Sequence, residues 1–542
     1  LLRNSFMQSQ QISYRDTGFV SKMVCDLFEG KESLGAFYGN PPTLDNFKAQ
    51  LAEKKENFTP YQREVLVSSL VSQYGNLLQK GSPVDLNIER LDLSNTFTIT
   101  TGHQLNLMTG PLYFLYKIIS TLNLCKTLKK AHPDFNFVPL YWMATEDHDF
   151  EEISFFNFKG KNFKWNRNKA GAVGRFSLDG LEPLFTLFDA ELGSSSSAQE
   201  IKNLIRESYL SSNSLTEATR KFVHQLFHSE GLVILDGDDR PLKQIFAPKM
   251  EEELRSGSCQ VEVEKTISKL QLDYDSEYVP QVNPREINLF YLTKTDRLRL
   301  VRTASGFADA DNTRSWTQAE LLQELQKTPD HFSPNVLMRP LYQETILPNL
   351  CYIGGGGELA YWLELKAYFE SQKVPFPILV HRNAAVLVPR KLADKLDRLQ
   401  LTPADVFLKR PSLINKKVRQ ISNIDLDLQP FKKVLEEQFT HLERLVLETD
   451  ASFEGAVKAQ QVKQFKGIDK LEQRLLHAQK RKLADQVQRL TLVHDALFPN
   501  ESLQERTVNF SEFYLQYGSE ILSLLSKQLD PLSLKFDWIV LD

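Results

Sequence analysis

Short apolar runs rich in β-branched and aromatic residues recur along the chain and alternate with segments whose apolar residues are three and four positions apart. Runs of the first kind are typical of buried strands, and the spacing of the second kind indicates helices. The apolar runs are TFTITT (96–101), FNFVPLYWMA (135–144), GLVILD (231–236), NLCYIGG (349–355) and FPILVHR (376–382). Strands that alternate with helices predict an α/β fold with a mostly parallel, doubly wound sheet.

The intervals between these runs are uneven. The second and third runs, and the third and fourth, are separated by far more residues than an ordinary crossover needs. The first long interval contains the helix-like segments LEPLFTLFDAEL and LTEATRKFVHQLF. The second contains a helix near 241–270 and then a hairpin-like pair, INLFYLT and LRLVRT. We therefore expect two insertions into the sheet domain.

After about residue 385 the pattern changes to highly charged helices, at 431–448 and 465–497. Their apolar residues form narrow stripes: Phe431, Leu435, Phe439 and Leu442 in the first, and Ile468, Leu471, Leu475, Ala478, Val487 and Leu490 in the second. Dense charge beside a narrow apolar stripe predicts an antiparallel helical hairpin or coiled coil. The pattern does not distinguish pairing within one chain from a homodimer formed through this coiled coil.

These patterns predict a core domain in three parts, two insertions, a helical domain and a tail. The ranges are 1–165 (core, first part), 166–230 (helical insertion), 231–275 (core, middle part), 276–330 (second insertion, with the hairpin), 331–390 (core, last part), 391–500 (helical coiled coil) and 501–542 (tail packing on the core).

Composition narrows the functional classes. A formal net charge of −4 and a pI near 6.3 give no electrostatic case for binding nucleic acid. The sequence shows neither a run apolar enough to span a bilayer nor the apolar stretch of a signal peptide, so we expect a cytoplasmic protein with no membrane contact. The four cysteines lie far apart without a CxxC pair, which argues against a structural zinc site.

Polar residues follow each predicted strand. In an open α/β sheet, ligands bind beyond the carboxyl ends of the strands. The runs end in Gly102-His103-Gln104, in TEDHDFEE (145–152), in Asp236, in GGGGE (354–358) and in His381-Arg382-Asn383. Because parallel strands bring these ends to one edge of the sheet, we expect a single site there.

The junction after the first run, residues 101–113, combines glycines with the start of a helix. Glycine allows close approach of the main chain, and free N–H groups at a helix start favour an anion such as a carboxylate or phosphate. An ordinary glycine-containing loop is the alternative. The candidate substrate-binding residues in this segment are Gly102, His103, Gln104, Asn106, Gly110 and Tyr113.

The acidic segment after the second run admits several interpretations. Asp147, His148 and Asp149 are residue types that bind metals, although metal sites usually recruit ligands from several segments. We favour the interpretation that Glu146, Asp147 and Asp149 recognise a substrate amine or sugar hydroxyls. The alternative without a functional role is a solvated acidic turn. His148 is a candidate proton acceptor.

The four glycines before Glu358 suggest a loop that holds phosphate, although they match neither the P-loop nor the dinucleotide fingerprint. Arg339 and Arg382 are candidates for bidentate contacts to an anion, with a structural ion pair as the alternative for each. Gln343 lies four residues after Arg339 and is expected on the same face. No GxSxG, HExxH or Cys/His motif nominates a nucleophile, so the chemistry is expected to rest on positioning and charge stabilisation.

Several extended motifs together carry a family resemblance. TGHQLNLMTGPLYFLYKI, VPLYWMATEDHDFEEI, SPNVLMRPLYQETILPNLCYIGGGGELAYWLELK and LFPNESLQERTVNFSEFY resemble the BshC family, the cysteine-adding enzymes of bacillithiol biosynthesis. The resemblance runs from about residue 95 to the tail. His103 stands where the family commonly has glutamine.

The resemblance implies a Rossmann-like core similar to nucleotidylyl transferases, with two inserted connective subdomains and a C-terminal coiled coil. It also implies a ligase that adds cysteine to the amino group of glucosaminyl malate, a step in the synthesis of a low-molecular-weight thiol. ATP with Mg²⁺ would activate the cysteine carboxylate, and the phosphates of ATP would be held by Gly354, Gly355, Gly356 and Gly357. The catalytic residues would be Asp147, His148 and Asp149, with no resident metal. The remaining binding residues would be Glu146, Asp236, Arg339, Gln343, Glu358 and Arg382.

Two other functions stay open on the sequence. One is a metal-dependent hydrolase or deaminase that uses the EDHD cluster at 146–149. The other is an interaction protein whose coiled coil is the working part and whose sheet domain is no longer catalytic.

Overall fold

The computed structural model describes residues 9–167 and 171–542. The start of the predicted first core segment and three residues of the predicted helical insertion therefore lie outside the described residues. The chain forms two compact units. One comprises Gln11–Ala385 with Gln504–Asp537, and the other consists chiefly of Val386–Leu503 with Trp538–Asp542.

The strands, numbered along the chain, are β1 Gln10–Ser13, β2 Thr96–His103, β3 Asn136–Met143, β4 Phe155–Phe158, β5 Lys161–Lys164, β6 Val233–Asp236, β7 Leu289–Leu292, β8 Arg297–Thr303, β9 Gly306–Asp309, β10 Ser315–Trp316, β11 Phe332–Pro334, β12 Asn349–Gly354, β13 Ile378–His381, β14 Ala384–Pro389 and β15 Lys535–Leu541.

The α-helices are α1 Tyr14–Thr17, α2 Lys22–Phe28, α3 Leu44–Asn57, α4 Pro60–Tyr74, α5 Pro83–Arg90, α6 Tyr113–Ala131, α7 Phe150–Ile153, α8 Leu181–Leu192, α9 Ser196–Ser208, α10 Leu215–Phe227, α11 Arg240–Ser256, α12 Ser258–Asp273, α13 Gln318–Lys327, α14 Met338–Ile346, α15 Gly356–Trp362, α16 Lys366–Ser371, α17 Arg390–Arg398, α18 Pro403–Val406, α19 Arg410–Ile421, α20 Gln429–Leu447, α21 Glu454–Lys482, α22 Ala484–Leu497, α23 Gln504–Thr507, α24 Ser511–Tyr517 and α25 Glu520–Gln528.

The five apolar runs predicted as strands form one sheet in the order β13-β12-β2-β3-β6, with every neighbouring pair parallel. Numbered by their order in the chain, the strands follow 3-2-1-4-5 from the β6 edge, which is the doubly wound order. The predicted α/β, Rossmann-like fold is confirmed. The strand order reverses between β2 and β12, and a crevice is expected beyond the carboxyl ends of that pair.

Side chains on both faces of β2 are buried, which explains why this strand occupies the centre of the sheet. Phe97 and Ile99 belong to an apolar cluster that also contains residues of α3, α6, β12 and β13. Thr100 lies between them and the strand end, and its hydroxyl donates to the Asn349 side chain on β12 (2.8 Å). A strand that is buried on both faces suits the centre of a parallel sheet.

Both long intervals between strands contain extra structure. Helices α8, α9 and α10 lie between β3 and β6. Between β6 and β12, β7 and β8 pair antiparallel, which confirms the predicted hairpin, and they belong to a five-stranded sheet in the order β10-β9-β8-β7-β11. Strands β1, β15 and β14 form a further three-stranded sheet.

In the unit around Val386–Leu503, α20 and α21 pair, and an ion pair joins Lys432 to Asp469. The charged helical hairpin is thus present, but the segment predicted as one helix over 465–497 is broken at Leu483. Leu483 packs against a small cluster that includes Val418 of α19, and the break allows this contact. Among the described residues, none of the helices combines the length and apolarity needed to cross a bilayer.

Candidate active site

A cavity of about 250 Å³ lies where the strand order predicts a crevice. Its walls come from the end of β2 and the loop after it, the end of β3, α6, α14, β12 and α15. The residues that line it are Gly102, His103, Gln104, Tyr113, Lys117, Trp142, Ala144, Asp147, Glu152, Val336, Arg339, Pro340, Gln343, Tyr352, Glu358, Tyr361 and Trp362. The cavity therefore gathers eight of the residues predicted from the sequence: Gly102, His103, Gln104, Tyr113, Asp147, Arg339, Gln343 and Glu358.

Asp147 is the centre of a charged cluster on one side of this cavity. Its carboxylate accepts from Gln104 (2.7 Å) and lies 3.5 Å from the Arg339 guanidinium and 3.4 Å from Arg297 of β8. Burial alone would raise the pKa of Asp147, but these partners hold it well below its usual range. Two arginines therefore share one carboxylate beside the cavity.

Lys117 of α6 and Glu358 of α15 form a second charged group. Lys117 Nζ donates to Glu358 Oε1 (2.6 Å) and to the Gly102 carbonyl (2.7 Å), and the Tyr352 hydroxyl donates to Glu358 Oε2 (2.6 Å). Burial lowers the pKa of Lys117, although Glu358 opposes that shift. This group ties β2, β12 and two helices together at the point where the strand order reverses.

His103 presents a neutral ring to the cavity. Burial, followed by the nearby charges of Lys117 and Arg382, lowers its pKa well below the ordinary value. Its ring packs against Tyr113 and Phe114, and its Nε2 has no hydrogen-bond partner among the described residues. Buried polar atoms are usually paired, so a free Nε2 at a cavity wall is suited to a ligand.

Farther along the edge, at the ends of β3 and β6, a buried lysine pairs with two carboxylates and fills the space between them. Lys243 of α11, which is fully buried, lies 2.5 Å from Glu146 and 3.0 Å from Asp238. Burial raises the pKa of Glu146, and the two carboxylates raise that of Lys243 against the effect of burial. Asp236 is bound to the Thr145 hydroxyl. In the described structure, Glu146 and Asp236 thus serve a buried network and do not line the cavity.

Arg382 and the four glycines lie outside the cavity lining of the described residues. The Arg382 guanidinium pairs with buried Glu505 (2.7 Å), which matches the structural alternative considered for this residue. The Gly355 N–H donates to Glu358 Oε1 (3.2 Å), so a carboxylate of the protein already caps the start of α15. Phosphate binding by Gly354–Gly357 stays a prediction.

The EDHD segment does not converge on one point. His148 is half-exposed and its Nδ1 accepts from Arg297 (3.0 Å), whereas exposed Asp149 caps α7 by accepting from the Glu152 N–H (3.2 Å). Across residues 9–167 and 171–542, no group of three or more His, Cys, Asp or Glu side chains is arranged to hold a metal ion. Asn106 and Gly110 border a neighbouring cavity.

Comparisons with known proteins agree with this architecture. Residues 7–383 match the family model described as "Bacillithiol biosynthesis BshC, N-terminal Rossmann-like domain", and residues 385–541 match "Bacillithiol biosynthesis BshC, C-terminal coiled-coil domain". The chain belongs to the BshC family. A Flavobacterium johnsoniae relative, named "Putative cysteine ligase BshC", is 50% identical over 99% of this chain and 100% of its own length. A Bacillus cereus relative of the same name is 28% identical over 95% and 96%.

Several residues in or beside the cavity do not stand out in the sequence. Lys117, Tyr352 and Trp142 lie within apolar runs, and Arg297 lies in the hairpin of an insertion. Lys117 carried a usable signal, because a lysine in an apolar helix face needs a buried partner. Arg297 carried none, since its contact with Asp147 depends on how the second insertion folds back onto the sheet edge.

The thiols of this BshC chain are placed for packing. All four cysteines are buried, and burial raises the pKa of each. A buried thiol with a raised pKa is a poor nucleophile.

Proposed function

We propose that this protein is a ligase that joins the carboxylate of cysteine to the amino group of glucosaminyl malate. The observation that carries this proposal is the cavity between the ends of β2 and β12, which sets the Arg339 guanidinium beside Asp147 and the Glu358 carboxylate beside Lys117. A cation and an anion that face one small cavity suit an amino acid, whose two ends carry the opposite charges.

In this proposal Arg339 binds the cysteine carboxylate and Glu358 binds its ammonium group. Arg339 remains charged, because Asp147 and Glu146 raise its pKa against the effect of burial. Glu358 is held in place by Tyr352 and Lys117, so it does not have to be ordered when the ligand binds. Asp147 orients the two arginines.

ATP would activate the carboxylate, as an acyl adenylate with release of pyrophosphate or as an acyl phosphate with release of ADP, and attack by the amine would then expel AMP or phosphate and release a proton. Mg²⁺ would arrive bound to the phosphates of ATP, because magnesium is commonly held by substrate phosphates and one or two carboxylates. The guanidinium groups of Arg297 and Arg339 fit developing negative charge near the cavity. Free Nε2 of His103 would accept a hydrogen bond from the attacking amine. The reaction would take place in the cytoplasm.

The test is product formation by purified protein with cysteine, glucosaminyl malate, ATP and Mg²⁺, followed by mass spectrometry. Arg339→Gln is expected to lower the ligation rate about 10²-fold or more, as loss of one charge-stabilising donor does. Arg240→Gln is the matched control, because Arg240 is exposed and lies outside the cavity lining of the described structure. Wild-type rates in Arg339→Gln would contradict the proposal, as would product without ATP consumption.

Pairing of two chains through the helical hairpin is the second part of this proposal. Apolar side chains that a single chain leaves exposed on α20 and α21 include Phe431, Leu442 and Leu471. Their burial in a homodimer would remove this apolar surface from water. In size-exclusion chromatography with light scattering, wild type is expected to elute as a dimer and the Phe431→Glu/Leu442→Glu variant as a monomer. A wild-type protein that elutes as a monomer would contradict the pairing.

A further inference from the structure

A second cavity adjoins the first. It has a volume of about 260 Å³, and its lining includes Asn106, Gly110 and Arg506 together with Tyr113 and Glu152. Tyr113 and Glu152 also line the first cavity, so the two cavities share a wall. The proposed function assigns no role to this space.

The C-terminal segment that carries Arg506 is fastened to the loop after β2. Asn509 Nδ2 donates to the carbonyls of Met108 (2.8 Å) and Gly110 (2.6 Å), and the Leu112 N–H donates to the Val508 carbonyl (2.8 Å). These bonds give Arg506 a fixed backbone position beside the cavity. The segment lies within one of the motifs on which the family resemblance rests, LFPNESLQERTVNFSEFY.

Arg506 is exposed, makes no hydrogen bond or ion pair with any other residue of the described structure, and has its side chain at the border of the cavity. Its neighbour Glu505 is engaged elsewhere, since its carboxylate accepts from Arg382 (2.7 Å) and from the Ala385 N–H (3.0 Å). An arginine without a partner at a cavity wall offers a planar pair of donors to a carboxylate or phosphate.

Asn106 supplies an independent sign of a ligand. It is 6% exposed, and its Nδ2 donates to the Glu152 carbonyl (2.9 Å), which leaves Oδ1 as the acceptor. This Oδ1 has no hydrogen-bond partner among the described residues. An unpaired buried acceptor costs free energy, and a ligand hydroxyl or amine would satisfy it.

Glu152 adds an anion to the wall between the cavities. Glu152 as a whole is exposed, but no hydrogen bond or ion pair reaches its carboxylate within the described residues, and partial desolvation, followed by the charges of Asp149 and Asp147, raises its pKa. A carboxylate in this position faces both cavities and suits an amine held between them.

We propose that the second cavity binds the acceptor of the ligation as an anionic, hydroxylated amine: Arg506 holds its carboxylate or phosphate, Asn106 Oδ1 accepts from a hydroxyl, and Glu152 meets its amine at the wall of the first cavity. This inference rests on the proposed function for the identity of the reaction. It assigns the two substrates to two cavities, with cysteine in the first and the acceptor in the second.

Calorimetric titration of the full-length protein with malate and, separately, with inorganic phosphate tests the anion site without turnover. Arg506→Gln is expected to weaken malate binding about 10-fold or more, the usual effect of losing a hydrogen bond between charged groups, while cysteine binding stays unchanged. Arg506→Lys should restore part of the affinity. The control is Arg206→Gln, an exposed arginine of α9.

Steady-state kinetics test the acceptor assignment. In Arg506→Gln, KM for glucosaminyl malate should rise at least about 10-fold while KM for cysteine does not change. The inference would be overturned if wild type and Arg506→Gln bound malate equally well, or if wild type did not bind malate. It would also be overturned if Arg506→Gln lost affinity for cysteine and for malate to the same extent. Phosphate binding that depends on Arg506 while malate binding does not would overturn the acceptor assignment. Absence of product with wild type would contradict the proposed function, whereas the malate titration would still report on Arg506.

Discussion

Two neighbouring stretches of the same sheet edge both carry carboxylates but differ in structure. Beside the ends of β2 and β12, Asp147 of the loop after β3, Arg339 and Glu358 line a cavity. At the ends of β3 and β6, Glu146 and Asp238 face Lys243, which leaves no space between them. The second long interval supplies a buried cation to each stretch: Lys243 of α11 lies between two carboxylates on the closed side, whereas Arg297 of β8 shares Asp147 with Arg339 on the open side. Strand ends define the edge, and the way these cations are paired distinguishes its open part from its closed part.

The two stretches should respond differently to loss of their cation. Lys243→Met on the closed side leaves the Glu146 carboxylate buried without an ion-pair partner, while Asp238 keeps Arg175, and is expected to lower the free energy of unfolding by about 3–5 kcal/mol. Arg339→Met on the open side should cost at most about 1–2 kcal/mol, because Asp147 keeps Arg297 and the cavity admits water. Urea denaturation measures both.

A double variant separates charge from packing on the closed side. Lys243→Met combined with Glu146→Gln removes the carboxylate that Lys243→Met leaves unpaired and should recover part of the loss. If Lys243→Met and Arg339→Met destabilise the protein equally, the distinction between a closed and an open stretch is wrong.

The next largest effect concerns the glycines at the end of β12. A Cβ on Gly354 would lie 2.9 Å from a ring carbon of Tyr352 and 3.2 Å from Cβ of Glu358, whereas a Cβ on Gly357 meets nothing within 4 Å. Gly354→Ala is therefore expected to cost about 1–3 kcal/mol, the usual cost of overpacking. Thermal unfolding of Gly354→Ala and of the control Gly357→Ala measures the difference.

The same pair tests the predicted phosphate loop. If Gly357 is glycine because a phosphate approaches the main chain, Gly357→Ala should weaken ATP binding at unchanged stability. Equal stability of the two variants would contradict the packing account of Gly354.

Two buried histidines should make the stability of the folded protein depend on pH. The folded-state pKa values of His103 and His381 are lowered, mainly by burial, so below about pH 6.5 the unfolded chain takes up protons that the folded chain does not. The contribution of each histidine to the free energy of unfolding should therefore fall as the pH falls, by about 1.4 kcal/mol per pH unit. Asp236 and Asp537, whose pKa values burial raises to about 6, act in the opposite direction over the same range, so the histidine contribution is measured by comparing variants in urea denaturation at pH 7.0 and pH 5.5.

His103→Gln isolates the contribution of the cavity histidine. Removing one such group should reduce the loss of stability between the two pH values by about 1.4 kcal/mol per unit, and the exposed His477→Gln controls for the substitution itself. An identical pH dependence of His103→Gln and wild type would show that His103 is solvated or paired in the folded state.

The sequence predicts the sheet better than it predicts the site. Period and composition of the five apolar runs are local properties, so all five strands were identified, and with them the edge where ligands bind. The choice between Asp147, which lines the cavity, and Glu146, which is buried beneath it, depends on side-chain direction and on Lys243 nearly a hundred residues away. Such long-range pairings leave no periodic signal. Arg382 and Arg339 look alike in sequence, and Glu505 alone distinguishes them.

The smallest expected effect decides between two roles of Asp149 next to the open side. The sequence predicts that Asp149 orients an amine, whereas in the structure its carboxylate accepts a hydrogen bond from the Glu152 N–H at the start of α7. Asp149→Ala is expected to cost about 1 kcal/mol for the lost cap, and Asp149→Ser, which can still cap, should cost less. Because Glu152 depends on this turn, ligation should fall in Asp149→Ala and recover in Asp149→Ser. Loss of ligation in both variants at matched thermal stability would favour a direct contact of Asp149 with the substrate, and the open side would then extend beyond the cavity to α7.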